Sequence, residues 1–241
     1  GMLATFERFA QQEYISDAHK DVFARSHPIP TDRLSRLRNL VEASPNFATK
    51  DTVELQLRHD LMRAKLSGYL ERPAVVFNRY PAANTSLPAR YARAIARFFQ
   101  GGNDALAQAI GEIDGLIRER PTNPYFHELR GDLLLRAGRA KDAVPSFRQA
   151  LKMLPGAGLI RVQLARGLMQ SDTASALPEV VDLLRNSLIE DDNPQAYRLL
   201  ANAYYKQGQE AQANAATAQA SFLEGNIKQA QIFAKRAQQG L

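Results

Sequence analysis

Apolar and polar positions follow the spacing of amphipathic helices along most of this 241-residue chain. From about residue 88 the pattern also repeats over a longer distance, as a comparison of residues 109–121 with 143–155 shows. Four matching pairs lie 34 residues apart: Ala109 and Ala143, Ile113 and Phe147, Leu116 and Ala150, and Pro121 and Pro155. This self-similarity predicts an all-α fold of stacked helical hairpins, because one hairpin cannot bury its own apolar face.

The unit formed by residues 124–155 shows how each hairpin is expected to pack. Small residues at Gly131 and Ala143 let two antiparallel helices approach closely, and Phe147 fills the gap to the next pair. Gly138 supplies the backbone freedom that the turn between the helices needs. These positions resemble the tetratricopeptide repeat (TPR). The expected fold is therefore all-α, a TPR-type helical-hairpin superhelix preceded by a non-repeat helical segment.

The repeat divides the chain into three predicted parts. The array covers 88–241 with four to five helix pairs, including a first helix at 193–209 and a degenerate unit at 158–192 with a lengthened turn. Residues 1–80 are helical but lack the period. The stretch 81–87 contains proline and small polar residues and is expected to be the linker between the two.

The segment before the array contains a helix that is apolar on two sides. Such a helix is expected to lie between two neighbours, with His59 as a buried core residue. The stripes are Val53, Leu57, Leu61 and Ala64 on one side, and Leu55, Met62, Leu66 and Tyr69 on the other.

Catalytic and metal-binding motifs are absent from the sequence. Zinc peptidases need two histidines one helical turn apart, and the only His-Glu pair, His127 and Glu128, is followed by Gly131 where the second histidine would stand. His127 occupies a TPR packing position instead. The chain contains no cysteine, which excludes thiolate sites. By itself the chain is expected to have no catalytic residue, no bound metal and no cofactor.

The distribution of charged and apolar residues limits the kinds of partner that are expected. The 31 basic residues are scattered among 25 acidic ones, giving a net charge of +6 without a basic block. No nucleic-acid partner is therefore expected; such binding would weaken steeply with salt. No apolar run approaches the roughly 20 residues that span a bilayer.

An irregular loop with the sequence Ser26-His27-Pro28 precedes a helix that opens with Asp32 and Arg33. The loop, its position after an amphipathic helix and the array that follows resemble the C-terminal region of BepA-like bacterial zinc metallopeptidases, the TPR-tailed relatives of the HtpX and CaaX prenyl protease group. The resemblance covers nearly the whole chain, although the catalytic HExxH helix is missing from it. It implies a chain that begins after the catalytic core.

The resemblance also implies roles for the loop and for the parent protein. His27 and Pro28 would lie beside the zinc cleft of the intact metalloendopeptidase, and Arg33 would hold the loop against the catalytic domain. Residues 1–80 would pack on that domain, which would carry the zinc. The expected location is the bacterial cell envelope, in the periplasm, and the expected role is quality control of envelope proteins.

The concave face of the array is the predicted working surface, since TPR arrays bind polypeptides along their first helices. Positions 2, 5, 9, 12 and 13, counted from Pro124, are expected to line it. Arg198 and Asn202 partly resemble the carboxylate clamp of chaperone-binding TPR proteins. A freestanding TPR adaptor is the alternative interpretation. The predicted groove residues are Tyr125, Glu128, Asp132, Leu135, Arg136, Arg166, Met169, Gln195, Arg198, Asn202, Tyr205 and Lys206.

Overall fold

The computed structural model describes residues 3–5, 7–8, 30–171, 174–189 and 191–240, and the side chains at 30–33 and 174 are not described. Regular structure in these residues is helical throughout, which confirms the all-α prediction. The helices are α1 (Pro30–Glu42), α2 (Val53–Leu70), α3 (Pro73–Arg79), α4 (Leu87–Gln100), α5 (Asn103–Glu119), α6 (Pro124–Arg136), α7 (Ala140–Met153), α8 (Gly158–Gln170), α9 (Leu177–Ser187), α10 (Pro194–Lys206), α11 (Glu210–Leu223) and α12 (Ile227–Gln239).

Local sequence signals set where the helices of the array begin and end. Asn123 and Asn193 cap α6 and α10, accepting hydrogen bonds from the backbone nitrogens two residues ahead at 3.0 and 2.9 Å. A proline follows each cap at the first helical position, where its missing donor costs nothing. Gly138 and Gly208 close the turns with φ of +75° and +73°, a region that favours glycine.

Consecutive helices of the array pack against each other in pairs, and Phe147 is buried in the pair formed by α6 and α7. This ring is 0% exposed. A Cβ atom added to Gly131 would lie 2.7 Å from the ring, which is closer than real contacts allow. Glycine at this position therefore lets Phe147 enter between α6 and α7. A Cβ added to Gly167 of α8 would lie 3.9 Å from the same ring, so Phe147 also reaches the next pair, as predicted.

The chain forms two compact units, 1–56 and 57–241. In the first, Arg38 donates a hydrogen bond to Glu7 at 2.7 Å. The second contains two hydrophobic clusters that meet on α6, where Leu133 belongs to the first cluster and Leu134 to the second. Among the described residues, α6 thus contributes to both clusters of the second unit.

The prediction of two buried sides for α2 is wrong for the described residues. Ala64 and Gly68 are buried, and a Cβ on Gly68 would meet Ile95 at 2.7 Å, so this side packs tightly on α4. Met62 and Leu66 are exposed on the other side. His59 is exposed with that stripe, its ring 3.4 Å from Asp60, because no described element covers it.

Residues 80–84, at the start of the predicted linker, are tied to α4 by one buried arginine. Nη1 of Arg93 donates to the carbonyl oxygens of Tyr80, Pro81 and Asn84 at 3.3, 2.9 and 2.8 Å. Ser86 then caps α4 through a bond from Ala89. A guanidinium can satisfy several carbonyls at once, which gives this stretch a fixed path.

We expect Arg93→Lys to lower the free energy of unfolding by about 1–2 kcal/mol, because a single ammonium cannot bind the carbonyls that Nη1 binds and also pair with Glu112, as Nη2 does at 3.7 Å. Amide exchange near residues 80–86 should accelerate locally. Arg97→Lys is the control, since Arg97 keeps a single carboxylate partner, Glu112. Equal losses in the two variants, measured by urea denaturation, would show that the carbonyl contacts contribute nothing.

Candidate polypeptide-binding groove

The first helices of successive units, α6, α8 and α10, contact one another in sequence order. The predicted groove positions therefore recur on neighbouring helices. Leu135 is an exception to the prediction, because it is buried in the core rather than presented to a partner. The remaining predicted residues fall into two sets with different surroundings, one on α6 and the other on α8 and α10.

On α6 the two acidic groove residues are bound by the chain itself. Lys65 Nζ lies 2.5 Å from Oε2 of Glu128, and the hydroxyl of Tyr69 donates to Oδ2 of Asp132 at 2.6 Å. Arg136 Nε also donates to both oxygens of Asp132, at 3.0 and 2.9 Å. Asp132 is 4% exposed. Its charge is thus compensated within the protein and is not open to a partner.

Aromatic contacts complete the coverage of this face by α2. Lys65 Nζ lies 5.7 Å from the ring centre of exposed Tyr125, and the guanidinium carbon of Arg136 lies 6.0 Å from that of Tyr69. Tyr69 also meets Phe99 edge-on at 5.7 Å. The α6 portion of the predicted groove is therefore partly covered by a helix of the same chain, while Tyr125 and Arg136 stay exposed.

These contacts change the acidity of the tyrosines. Burial is the largest cause that raises the pKa of Tyr69, followed by the negative charge of Asp132 and the hydrogen bond to it. Burial also raises the pKa of Tyr91 well above its usual range, with Glu128 adding to the effect. In both cases the charged phenolate is disfavoured in the folded protein.

We expect the free energy of unfolding of Tyr69→Phe to fall less steeply with rising pH, above pH roughly 10, than that of wild type. Above pH roughly 10 the unfolded tyrosine releases its proton while native Tyr69 keeps it, so stability falls by up to about 1.4 kcal/mol per pH unit for such a group. Below that pH, the contribution of Tyr69 to the free energy of unfolding does not change with pH. Denaturation between pH 9 and 11.5 should show the slope reduced by that amount in Tyr69→Phe relative to wild type. Identical slopes in wild type and Tyr69→Phe would contradict the assignment.

The groove residues on α8 and α10 are accessible. Asn202, Tyr205 and Lys206 are exposed, with Tyr205 at 70%, and Arg166 and Met169 are half-buried. Arg198 is directed elsewhere: it forms a two-point ion pair with Glu224, the residue that follows α11. The side chain that the clamp resemblance requires is therefore engaged by the protein's own carboxylate.

The repeat pattern does not predict that Lys65 and Tyr69 contact the groove residues Glu128 and Asp132. The sequence does contain a spacing that indicates these contacts. Glu128 and Asp132 are separated by one helical turn, and so are Lys65 and Tyr69, so the two pairs can meet face to face between two helices. The match is visible only when residues 63 positions apart are compared.

The predicted active-site loop is largely beyond what the structure describes. His27 and Pro28 lie outside the described residues, and Arg33 lies in α1 with its side chain not described. Among the described residues, no group of three acidic or histidine side chains is placed to hold a metal. The acidic and histidine side chains of the described residues therefore do not fit a zinc site. His127 instead forms a hydrogen bond with the carbonyl oxygen of Pro121 at 3.0 Å.

Comparisons with known proteins agree with the fold. Residues 91–158 match the tetratricopeptide repeat family. The Beta-barrel assembly-enhancing protease of Yersinia pestis is 23% identical over 223 residues, which cover 91% of this chain and 44% of that protein. The chain thus spans less than half the length of this relative. In the described part of the chain, every helix is too short or too polar to cross a membrane.

Solved structures of MamA proteins are similar in fold. MamA from Desulfovibrio magneticus gives a TM-score of 0.56 at 15% identity, covering 74% of this chain and 98% of that chain. MamA AMB-1 gives 0.56 at 18% identity, over 70% and 96% of the two chains. MamA MSR-1 gives 0.51 at 18% identity, over 78% and 99%. The chain therefore has an all-α fold of the TPR type.

Proposed function

We propose that this chain is the polypeptide-binding region of a bacterial zinc metallopeptidase that acts in quality control of envelope proteins. The chain contributes recognition, while the peptidase chemistry belongs to residues outside it. Zinc in the parent would be bound by an HExxH helix and a downstream glutamate. Clients would be polypeptide substrates or partner proteins, and the site of action would be the periplasm.

The observation that carries the proposal is the extent of similarity to the Yersinia protease. A match over 91% of the chain includes more than the repeat array, because residues 88–241 make up only part of that length. Packing constraints common to every TPR protein do not explain similarity in the segment before residue 88. This segment holds the His-Pro loop that suggested the relationship.

In the proposed parent, His27 and Pro28 lie beside the zinc cleft and Arg33 holds their loop in place. A neutral imidazole next to zinc can act as a ligand or block access to the metal. The groove residues have the complementary task of holding a client polypeptide. Tyrosine and arginine are the side chains most often found as anchors in such interfaces.

The natural gene and the intact protein test the proposal together. In the natural gene we expect an in-frame HExxH helix and a glutamate upstream of Met2. We expect the intact protein to cleave an unfolded polypeptide, and a zinc chelator to abolish this cleavage. His27→Ala should change the cleavage rate, whereas His19→Ala, in the polar segment ahead of the loop, should not. A stop codon or an unrelated domain directly upstream would refute the link to a protease.

A freestanding TPR adaptor is the second candidate. The MamA structures favour it, because the matched part of this chain covers 96–99% of each of those chains. A TPR array of this size can thus make up nearly all of a solved protein chain. An adaptor would bind polypeptides through the same groove without chelator-sensitive cleavage.

A further inference from the structure

Helix α2 exposes a stripe of large apolar side chains along one side. Met62, Leu66 and Leu70 follow one another at four-residue steps and are 48%, 51% and 79% exposed. Residues four apart lie side by side on a helix, so the three side chains present one surface. The opposite side of α2 carries Ala64 and Gly68 and packs on α4. Within the unit 57–241, α2 thus has one packed side and one exposed apolar side.

Aromatic side chains extend the stripe towards α4. Tyr69 lies one turn from Leu66, and its ring meets that of Phe99, which is 44% exposed, at a centroid distance of 5.7 Å. Single exposed apolar residues are ordinary on a soluble protein, whereas contiguous ones mark interaction sites. The stripe is therefore a candidate docking surface.

Arginines surround this stripe. Helical spacing puts Arg58 and Arg63 on its two sides, and Arg72 follows its last residue by two positions. All three are exposed, and none forms an ion pair with a residue that the structure describes. The neighbouring cation Lys65 is by contrast bound to Glu128. We call Arg58, Met62, Arg63, Leu66, Leu70 and Arg72 together the arginine-flanked stripe.

The carboxylates of α2 do not pair with these arginines. Asp60 lies one turn from buried Ala64, on the packed side, and its Oδ1 is 3.4 Å from the ring of His59. Glu54 lies in the first turn, two turns before Met62, and forms no ion pair with a described residue. A partner on the stripe therefore meets apolar side chains bordered by positive charge.

We propose that the arginine-flanked stripe docks an amphipathic helix of a partner polypeptide, whose apolar side is bordered by aspartate or glutamate. The apolar side chains of the partner pack against Met62, Leu66 and Leu70, and its carboxylates pair with Arg58 and Arg63. Arginine can bind a carboxylate at two points, which fixes the orientation of the partner as well as adding affinity. The stripe lies outside the groove on α8 and α10, so this inference goes beyond the proposed function and does not depend on a link to a protease.

The shape of the stripe favours a helix as the occupant. Side chains at four-residue steps form the ridges that fit into the grooves of a second helix. Charge disfavours a second copy of this chain, because both sides of the stripe are positive. Two stripes packed face to face would bring arginines against arginines in either orientation, and like charges at an interface reduce affinity. An acidic helix provides opposite charges at both borders.

Fluorescence anisotropy with the full chain tests the inference. Three labelled helical peptides share the same leucine side, which is flanked by Glu, Gln or Lys. We expect the Glu peptide to bind most tightly and to lose affinity as salt is added. Leu66→Asp and Arg63→Glu should each weaken its binding by about tenfold or more, since each places a negative charge against the peptide.

The controls make the same changes at exposed positions away from α2. Ile189→Asp replaces an apolar side chain that is 78% exposed, and Arg185→Glu reverses an exposed charge on α9. Both should leave binding of the Glu peptide unchanged. Losses equal to those of Leu66→Asp and Arg63→Glu would overturn the inference, since net charge alone would then explain binding. Preference for the Gln or Lys peptide would also overturn it.

A photoreactive label on Leu66→Cys identifies the occupant directly, because the chain contains no other cysteine. A crosslink to the Glu peptide supports the inference. A crosslink to a second copy, or one within the chain that the peptide does not reduce, would overturn it. Tighter binding to anionic lipid vesicles than to the Glu peptide, lost in Leu66→Asp, would overturn it as well. Chelator-sensitive cleavage by the intact protein is independent of all these outcomes.

Discussion

Phe147→Ala is expected to lower the free energy of unfolding by about 3–5 kcal/mol, the cost of removing a buried aromatic ring and leaving a cavity. The ring is 0% exposed and lies against Gly131 on α6. Collapse of the site is restricted, because two helices already meet there at close range. Urea denaturation followed by circular dichroism measures the change.

Phe222→Ala provides the control, since Phe222 is 60% exposed and loses little burial. Its effect should stay within about 0.5 kcal/mol of wild type, as for surface substitutions generally. A loss below 1 kcal/mol for Phe147→Ala would contradict the assignment of this residue to the centre of the hairpin core.

Asp132→Ala is expected to cost about 2–3 kcal/mol, because the buried carboxylate accepts bonds from Tyr69 and Arg136 and its removal leaves the Tyr69 hydroxyl without its acceptor. Asp132→Ala should also destabilise α2 locally. Hydrogen exchange should accelerate in residues 57–70 of α2, which the contact helps hold against α6. Asp132→Asn should retain part of the stability, since its amide oxygen still accepts the tyrosine proton.

The matched control is Asp142→Ala, which removes an exposed carboxylate that also pairs with an arginine, Arg139, at 2.7 Å. Exposed pairs of this kind contribute between about 0 and 1 kcal/mol. Comparable losses at Asp132 and Asp142, or unchanged exchange in α2 after Asp132→Ala, would show that the contacts of Asp132 do not help hold α2 against α6.

The hairpin architecture could be predicted because its rules act over short distances. Gly138 and Gly208 occur where turns require positive φ, and Gly131 faces Phe147 within one hairpin. Each of these relationships lies within a unit and recurs with the period. A single sequence therefore contains enough information to place the helices of the array and most of their buried faces.

The composition of the groove could not be predicted to the same degree, since it depends on contacts far apart in sequence. Periodicity places Glu128 and Asp132 on the groove face but does not show that α2 returns to bind them. Likewise Arg198 occupies a clamp position, yet Glu224, just after the following helix α11, engages it. The roles of His27, Pro28 and Arg33 remain predictions, as does the division into 1–80, 81–87 and 88–241.

The most direct test of the account is to compare substrates of two lengths in the intact protein that contains this chain. We predict that Arg166→Glu, a change at a predicted groove position, raises KM about tenfold for a long polypeptide, while cleavage of a short peptide that fills only the catalytic cleft is unchanged. That split would show that the predicted groove delivers clients to the peptidase. An unchanged KM for the long substrate, or no chelator-sensitive cleavage at all, would contradict the account.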